Sequence, residues 1–311
     1  MISITPNNYR KGTLLLLSTT IIWGTSFPIL KDTISTIPPS MLVAIRFGIA
    51  AIALSPWLRN INRRLLRDGA LLGAILFLES TCGLLGLATV SANRAAFIVS
   101  LNVILVPLLG FLIGQRLRRQ IVIAAGLAIC GIGILSWEGG GIGVGELLTL
   151  VSAMGIAIYI LLLEAIAPRH STLALTAVQA WVMFLIGILW VLPTVGLQDF
   201  AVGDRLPALL YLGLVVTIAP IWLQAVGQRW VPANEAALLY TMEPVFASLF
   251  SFWFLNESLG IRGVIGAGLI LTATVISQYR RSSTTSTQEM TRKEATLVAE
   301  ARFREKVGAN R

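Results

Sequence analysis

Long apolar runs separated by short polar breaks set the pattern of this chain, and that pattern predicts helices crossing a bilayer. A spanning helix needs about 20 mostly apolar residues. Runs near that length predict spans at 13–30, 38–58, 69–89, 93–113, 120–137, 146–167, 172–193, 207–228, 233–255 and 260–279. The breaks hold the expected residues: Pro38-Pro39, Arg63-Arg64, Gly139-Gly140-Gly141, Pro168, and Asp199 to Asp204. The runs are near-continuous and not alternating, which points to helices rather than to barrel strands. The expected fold is an all-α polytopic membrane protein of ten transmembrane helices.

Composition agrees and removes alternatives. The chain has 311 residues, 56% hydrophobic and 13% charged, with a mean hydropathy of +0.81. A soluble domain is about 25% charged and has no interior large enough for so much apolar surface. The net charge of +9 does not imply nucleic acid, because the basic residues sit between apolar runs and not in one patch. One His and two Cys build neither a metal cluster nor a disulfide framework, so no metal or other cofactor is expected. Cys82 and Cys130 fall inside apolar runs and read as small buried side chains. Met1 to Lys11 is polar and no A-x-A-like site follows the first run, which reads as a retained helix and not a signal peptide.

Lys/Arg bias near the helix ends gives the orientation. One set of connections holds Arg10, Lys11, Arg59, Arg63, Arg64, Arg67, Arg116, Arg118, Arg119, Arg169 and Arg229; the opposite set holds only Lys31, Arg94, Arg205 and Arg262. Both termini are therefore expected in the cytoplasm, with the chain in the inner or plasma membrane. Residues 281–311, Ser/Thr-rich and then charged, read as a cytoplasmic tail, disordered or forming a surface helix. The stretch Glu138 to Glu146 lacks a phosphate-loop pattern and reads as an outer turn.

The two halves resemble each other. Val90-Ser91-Ala92-Asn93-Arg94-Ala95-Ala96 matches Val231-Pro232-Ala233-Asn234-Glu235-Ala236-Ala237 at an offset of 141, continuing through Leu108/Leu249 and Phe111/Phe252. Ala125-Gly126-Leu127 then meets Ala267-Gly268-Leu269, and Gly12 before Leu14-Leu15 pairs with Gly145 before Leu147-Leu148. The repeats run over 12–138 and 145–280. Five spans per half is an odd number, so the second copy is expected upside down relative to the first, an arrangement that puts a substrate site between the halves near the midplane.

Three stretches carry a family resemblance: Trp23-Gly24-Thr25-Ser26-Phe27, Ala44-Ile45-Arg46-Phe47, and Tyr240-Thr241-Met242-Glu243-Pro244-Val245 followed by Asn256-Glu257-Ser258-Leu259. Over residues 12–280 the chain resembles the EamA branch of the drug/metabolite transporter superfamily. The resemblance implies ten helices in two inverted five-helix repeats and export of small metabolites or amino acids. In one place the pattern differs: the Gly-Glu pair usual at the end of the fourth helix is Gly114-Gln115, leaving Glu257 alone in that role.

Polar residues at bilayer depth are costly and normally face a cavity or a partner. Glu79 lies mid-span with Gly83 and Gly86 on its face; it reads as a proton or substrate-amine site, or as the partner of Arg46. Glu243 precedes Pro244, which frees the carbonyl of Tyr240; it reads as a cavity residue or as a cap at the kink. The face Ala236, Tyr240, Glu243, Ala247, Ser251 corresponds to Ala95, Val99, Asn102, Val106, Gly110 in the first half, which suggests a shared cavity wall. Arg46 aligns with Gln179 and reads as a structural or ion-paired residue. Gln224 aligns with Gly83 and is a further lining candidate, with Trp23, Tyr159, Trp181 and Tyr240 as aromatic walls. Gly126, Gly131 and Gly133, with Gly263 and Ala267, give small-residue faces for helix contact, and nothing in the sequence sets an oligomeric state.

The expected function is secondary transport of a small molecule through the lipid bilayer, with protons as a candidate coupling ion. Uncoupled permeation and a channel-like pore are the alternatives. An enzyme is not expected: H-E-x-x-H and G-x-S-x-G are absent and the one histidine, His170, falls in a loop.

Overall fold

The computed structural model describes residues 6–59, 61–112, 114, 119–136, 143–193, 202–240 and 242–278. The tail from 281 and most of the turn after Glu138 lie outside them. The described chain is helical: α1 (Pro6–Ile34), α2 (Pro39–Leu54), α3 (Arg63–Thr89), α4 (Ala92–Val99), α5 (Asn102–Leu112), α6 (Arg119–Ser136), α7 (Val144–Ile166), α8 (Thr172–Val191), α9 (Val202–Leu210), α10 (Ala219–Gly227), α11 (Ala233–Tyr240), α12 (Glu243–Leu255) and α13 (Ile261–Gln278). Helices at seven of the expected spans are long and apolar enough to cross a membrane; the other three spans fall on shorter apolar helices, Val122–Ile134, Glu243–Leu255 and Ile261–Ala273.

Local chemistry sets the boundaries. Pro39 opens α2, where its missing N–H costs nothing. Asn62 caps α3 by accepting from Leu65 N at 2.7 Å, and Ser91 caps α4 from Arg94 N. Asn256 closes α12 in the left-handed region (φ 52), which asparagine tolerates better than most residues.

Three of the expected spans are interrupted, and two of the interruptions correspond. The span read at 93–113 breaks between α4 and α5, and the one read at 233–255 breaks between α11 and α12. Added to the α4 bounds and the α5 start, the 141-residue offset gives the α11 bounds and the α12 start. The backbone bonds follow suit: Leu101 N donates to Ile98 O at 3.1 Å and Met242 N to Leu239 O at 3.2 Å. Leu105 N then reaches Leu101 O, and Phe246 N reaches Met242 O. The third interruption is a π-helical turn, Tyr211–Ile218, between α9 and α10. Pro220, with no N–H, cannot donate to the carbonyl of Val216, and the ladder is re-set just before it.

Exchanging the halves leaves the packing pattern unchanged. α3 packs along α7 as α10 packs along α1, and α5 meets α7 as α12 meets α1. α2 packs along its own counterpart α8, and α6 along α13. Glycines allow the closest approaches: a Cβ on Gly155 of α7 would stand 2.9 Å from Glu79 Cβ, and one on Gly131 of α6 would stand 2.9 Å from Gly266 O of α13. Gly126 and Gly133 have open space there, so only part of the expected glycine face is used.

Large apolar side chains such as Leu112, Ile129, Leu189, Phe254 and Ile261 are exposed along the outside, as lipid contact requires. Cys82 is buried, but Cys130 is exposed on this outer surface, which corrects the expectation for it. An apolar helix that faces lipid on one side and protein on the other shows no contrast in sequence between its two sides.

Candidate substrate cavity

Ion pairs and several hydrogen bonds between helices lie at two ends among the described residues. At one, Lys31 Nζ donates to Leu87 O (2.7 Å) and Val90 O (2.8 Å), placing a cation on the carbonyl end of α3. At the same end Arg94 pairs with Glu146 at 3.1 Å, Arg205 pairs with Asp32, and Asn93 N donates to Glu257 Oε2 at 3.4 Å. At the other end, His170 Nε2 meets Asp68 Oδ2 at 2.9 Å and Arg67 pairs with Asp68 at 3.1 Å. There Arg229 donates to Ala167 O (3.2 Å) and to His170 O, and Tyr9 donates to Glu235 Oε2 at 2.8 Å. This second end carries most of the arginine of the charge-rich connections.

A cavity of about 970 Å³, its open part included, opens between the halves. Its walls are Trp23 to Leu30 of α1, Leu42 to Phe47 of α2, Leu76 to Leu87 of α3, Ala95 and Val99 of α4, and Thr149 to Ile156 of α7. Met183, Val216, Thr217, Ile221 and Glu243 complete the lining. Along α1, α2, α3, α4 and α7 these residues run from mid-helix toward the Lys31 end. The cavity therefore occupies that half of the protein.

Three ionisable side chains face it from three elements: Arg46, Glu79 and Glu243. Glu79 accepts from Ser80 Oγ at Oε2 and from Ser152 Oγ at Oε1, each at 3.0 Å. Arg46 Nε donates to Thr217 Oγ1 at 2.6 Å, and Thr217 Oγ1 donates on to Leu212 O at 2.7 Å within the π turn. The guanidinium carbon lies 5.4 Å from the centre of the Phe47 ring. Arg46 and Glu79 share the cavity but are not joined as an ion pair within 4 Å among the described residues, contrary to the paired reading of Arg46. Glu243 is 6% exposed and makes no side-chain hydrogen bond among the described residues. A guanidinium and two carboxyls around apolar walls suit a solute with a carboxylate, an amine and an apolar body.

The other residues singled out from sequence divide into two groups. Trp23 lines the cavity, and Tyr240 stands behind it at 5.5 Å between ring centres. Tyr159, Gln224 and Asn102 are buried outside the lining: Tyr159 donates to Gln179 Oε1 at 3.0 Å, and Asn102 Nδ2 donates to Val99 O at 2.9 Å. Trp181 is elsewhere, donating to Ser55 Oγ at 3.2 Å on the α2–α8 flank. Sequence reasoning missed Ser152, Ser80 and Thr217. Their only signal was a hydroxyl in an apolar run, and hydroxyls there often bond their own helix, as Thr19 and Thr149 do here.

Residues 10–137 and 143–278 each match the EamA-like transporter family. The chain belongs to the EamA-like transporter family. It is thus a multi-pass membrane transporter and not an enzyme. Among relatives, an uncharacterised transporter of Archaeoglobus fulgidus is 27% identical over 84% of this chain and 83% of its own length. An uncharacterised transporter of Bacillus subtilis is 25% identical over 87% of this chain and 88% of its own. A probable amino-acid metabolite efflux pump of Escherichia coli is 26% identical over 87% and 95%. One crystal structure covers 86% of this chain and 96% of its own, with a TM-score of 0.65 at 19% identity, which is a likeness of fold.

Proposed function

We propose that this EamA-like transporter exports small amphiphilic metabolites, amino acids or close relatives of them, across the inner or plasma membrane. It works by alternating access as a secondary transporter, with the substrate held at the floor of the cavity. The observation that carries this reading is the presence of Arg46, Glu79 and Glu243 around one otherwise apolar cavity. Arg46 takes the substrate carboxylate, Glu243 and Glu79 take the ammonium group, and Trp23, Phe27 and Phe47 take the apolar body. The name of the Escherichia coli relative supports the same substrate class.

Two inverted five-span repeats supply two mirror-related packings, one open to each side. The charge bias puts both termini and the Asp68–His170 end on the cytoplasmic side, and the Lys31 end outside. The ion pairs and capping contacts at both ends are the groups that must change partners as access alternates. A through-pore is disfavoured because the buried pair Asp68–His170 and the packed helices around Leu16, Leu163 and Leu175 fill the half opposite the cavity.

Reconstituted vesicles test the proposal. Loaded with one amino acid at high concentration, they should accumulate labelled tracer of the same amino acid by exchange. Arg46→Gln should abolish exchange of zwitterions. A panel of amino acids and small amphiphiles in which no zwitterion exchanges, or in which Arg46→Gln exchanges as well as the parent, overturns the assignment.

A further inference from the structure

The half of the protein opposite the cavity contains buried polar side chains that neither the cavity nor ordinary packing accounts for. Gln224 is fully buried, and both its amide nitrogen and its amide oxygen lack a hydrogen-bond partner among the described residues. Tyr240 Oη, Gln179 Nε2 and Gln228 Oε1 are likewise buried and unpartnered there. Buried polar groups are nearly always paired, and leaving one unpaired costs free energy. Several in one region need a reason.

Helix geometry supplies the reason. On α10, Ile221 lines the cavity, and Gln224 and Gln228 follow at i+3 and i+7 on the same face. On α7, Ile156 lines the cavity and Tyr159 follows at i+3; on α8, Met183 lines it and Gln179 precedes it by four. Tyr159 donates to Gln179 at 3.0 Å, and Gln228 Nε2 donates to Ile160 O at 3.3 Å, so the three faces meet. Seven residues of helix from Ile221 carry this face about 10 Å further toward the arginine-rich end. Asp68 and His170 lie at that end, in contact at 2.9 Å with both side chains nearly inaccessible. Arg229, the residue after Gln228, ties the backbone of His170 and Ala167.

We propose that Tyr159, Gln179, Gln224 and Gln228 form a second polar substrate station, the inner limb of the path, shut in this conformation and latched by Asp68–His170. It takes the hydrogen-bonding groups of a neutral or zwitterionic solute leaving or approaching the cavity, because its amides and phenol offer donors and acceptors without net charge. When the latch parts, the unpartnered amides face the substrate and solvent of the inner side. The inference rests on the transporter reading, but it assigns residues on which that reading does not depend.

The test needs no substrate. In a Cys82→Ala/Cys130→Ala background, Gln224→Cys is exposed to an impermeant maleimide in inside-out vesicles. Labelling should be slow with the latch intact and at least tenfold faster with Asp68→Asn. Labelling applied from the opposite face should not accelerate. Ala50→Cys, buried against Ala177 and Ala180 away from the path, monitors folding and should stay unlabelled. If Asp68→Asn also exposes Ala50→Cys, His170→Gln, which leaves Asp68 its Arg67 partner, gives the reading instead. Unchanged labelling when the latch is removed, or acceleration from the opposite face, overturns the inner limb even if exchange in vesicles succeeds. Acceleration with no exchange of any zwitterion leaves the limb standing and removes the proposed substrate class.

Discussion

Asn102 and Glu243 occupy one position in the two halves of the chain. They lie 141 residues apart, each is the first residue of the helix that resumes after a break, and both are buried. The backbone around them is bonded alike, yet the side chains differ in kind. Asn102 turns its amide back onto Val99 O at 2.9 Å, whereas Glu243 looks into the cavity. Two similar frames thus carry one ionisable group between them.

Exchanging Glu243 for glutamine therefore separates charge from shape. The side chain has no hydrogen-bonded partner among the described residues to lose, so Glu243→Gln is expected to unfold within a few degrees of the parent. A charged hydrogen bond is worth about 1.5–3 kcal/mol, so the affinity for a substrate ammonium should fall about 10- to 100-fold. Tracer-exchange titration beside a detergent melting curve checks both halves of the statement. Unchanged affinity would remove Glu243 from the site.

The contact between α3 and α7 makes a second prediction. A methyl group on Gly155 would meet Glu79 Cβ at 2.9 Å, while one on Gly126 meets nothing within 4 Å. Gly155→Ala should push the helices apart and cost about 1–3 kcal/mol, as overpacking usually does. Gly126→Ala should be neutral or slightly stabilising, because alanine is the better helix former. Thermal unfolding in detergent ranks them, and equal midpoints would contradict the close approach.

Topology is checked at two exposed turn residues. Ser35 follows α1 at the Lys31 end, and Ser171 precedes α8 at the arginine-rich end. In the cysteine-free background, Ser35→Cys should react with an impermeant maleimide in intact cells, and Ser171→Cys only after permeabilisation. The reverse pattern would invert the assigned sides.

Some of this was legible in the sequence because the signals are one-dimensional. Apolar run length marks spans, and the match around Asn93 and Asn234 gives the offset at which the helix breaks later prove to correspond. Glu79, Glu243 and Arg46 stood out because charge at bilayer depth is expensive wherever it points. Trp181 did not join the cavity, since an aromatic in an apolar helix has no contrast to tell lipid, flank and cavity apart. Asp68 and His170 were passed over for the opposite reason: each sits beside arginines at a span end, where a charge looks solvated. Only the approach of the start of α3 to the turn before α8, 102 residues on, makes them a buried pair, and periodicity within one helix carries no information about that approach.

Coupling rests on Glu79. A carboxyl in a bilayer interior either carries a proton or answers a cation. Here it accepts two serine hydroxyls at 3.0 Å and shares its cavity with Arg46, with which it forms no direct ion pair among the described residues. The two hydroxyls and the Arg46 charge across the cavity are thus the groups whose rearrangement would change its hold on a proton. Transport is then linked to a pH gradient only if the proton affinity of Glu79 differs between the two open states, because a ligand shifts an equilibrium only by its differential binding. A change in the α3–α7 contact that brings Ser152 to Glu79, as the accessible side alternates, would supply such a difference. The expected outcome is proton-linked exchange in the parent and gradient-blind exchange in Glu79→Gln, which keeps the shape and one serine donor, the other hydroxyl having to turn and accept from the amide. Ser152→Ala, losing one donor to the carboxyl, should shift the pH dependence of exchange. Exchange in the parent that ignores an imposed gradient would return Glu79 to a substrate-binding role alone.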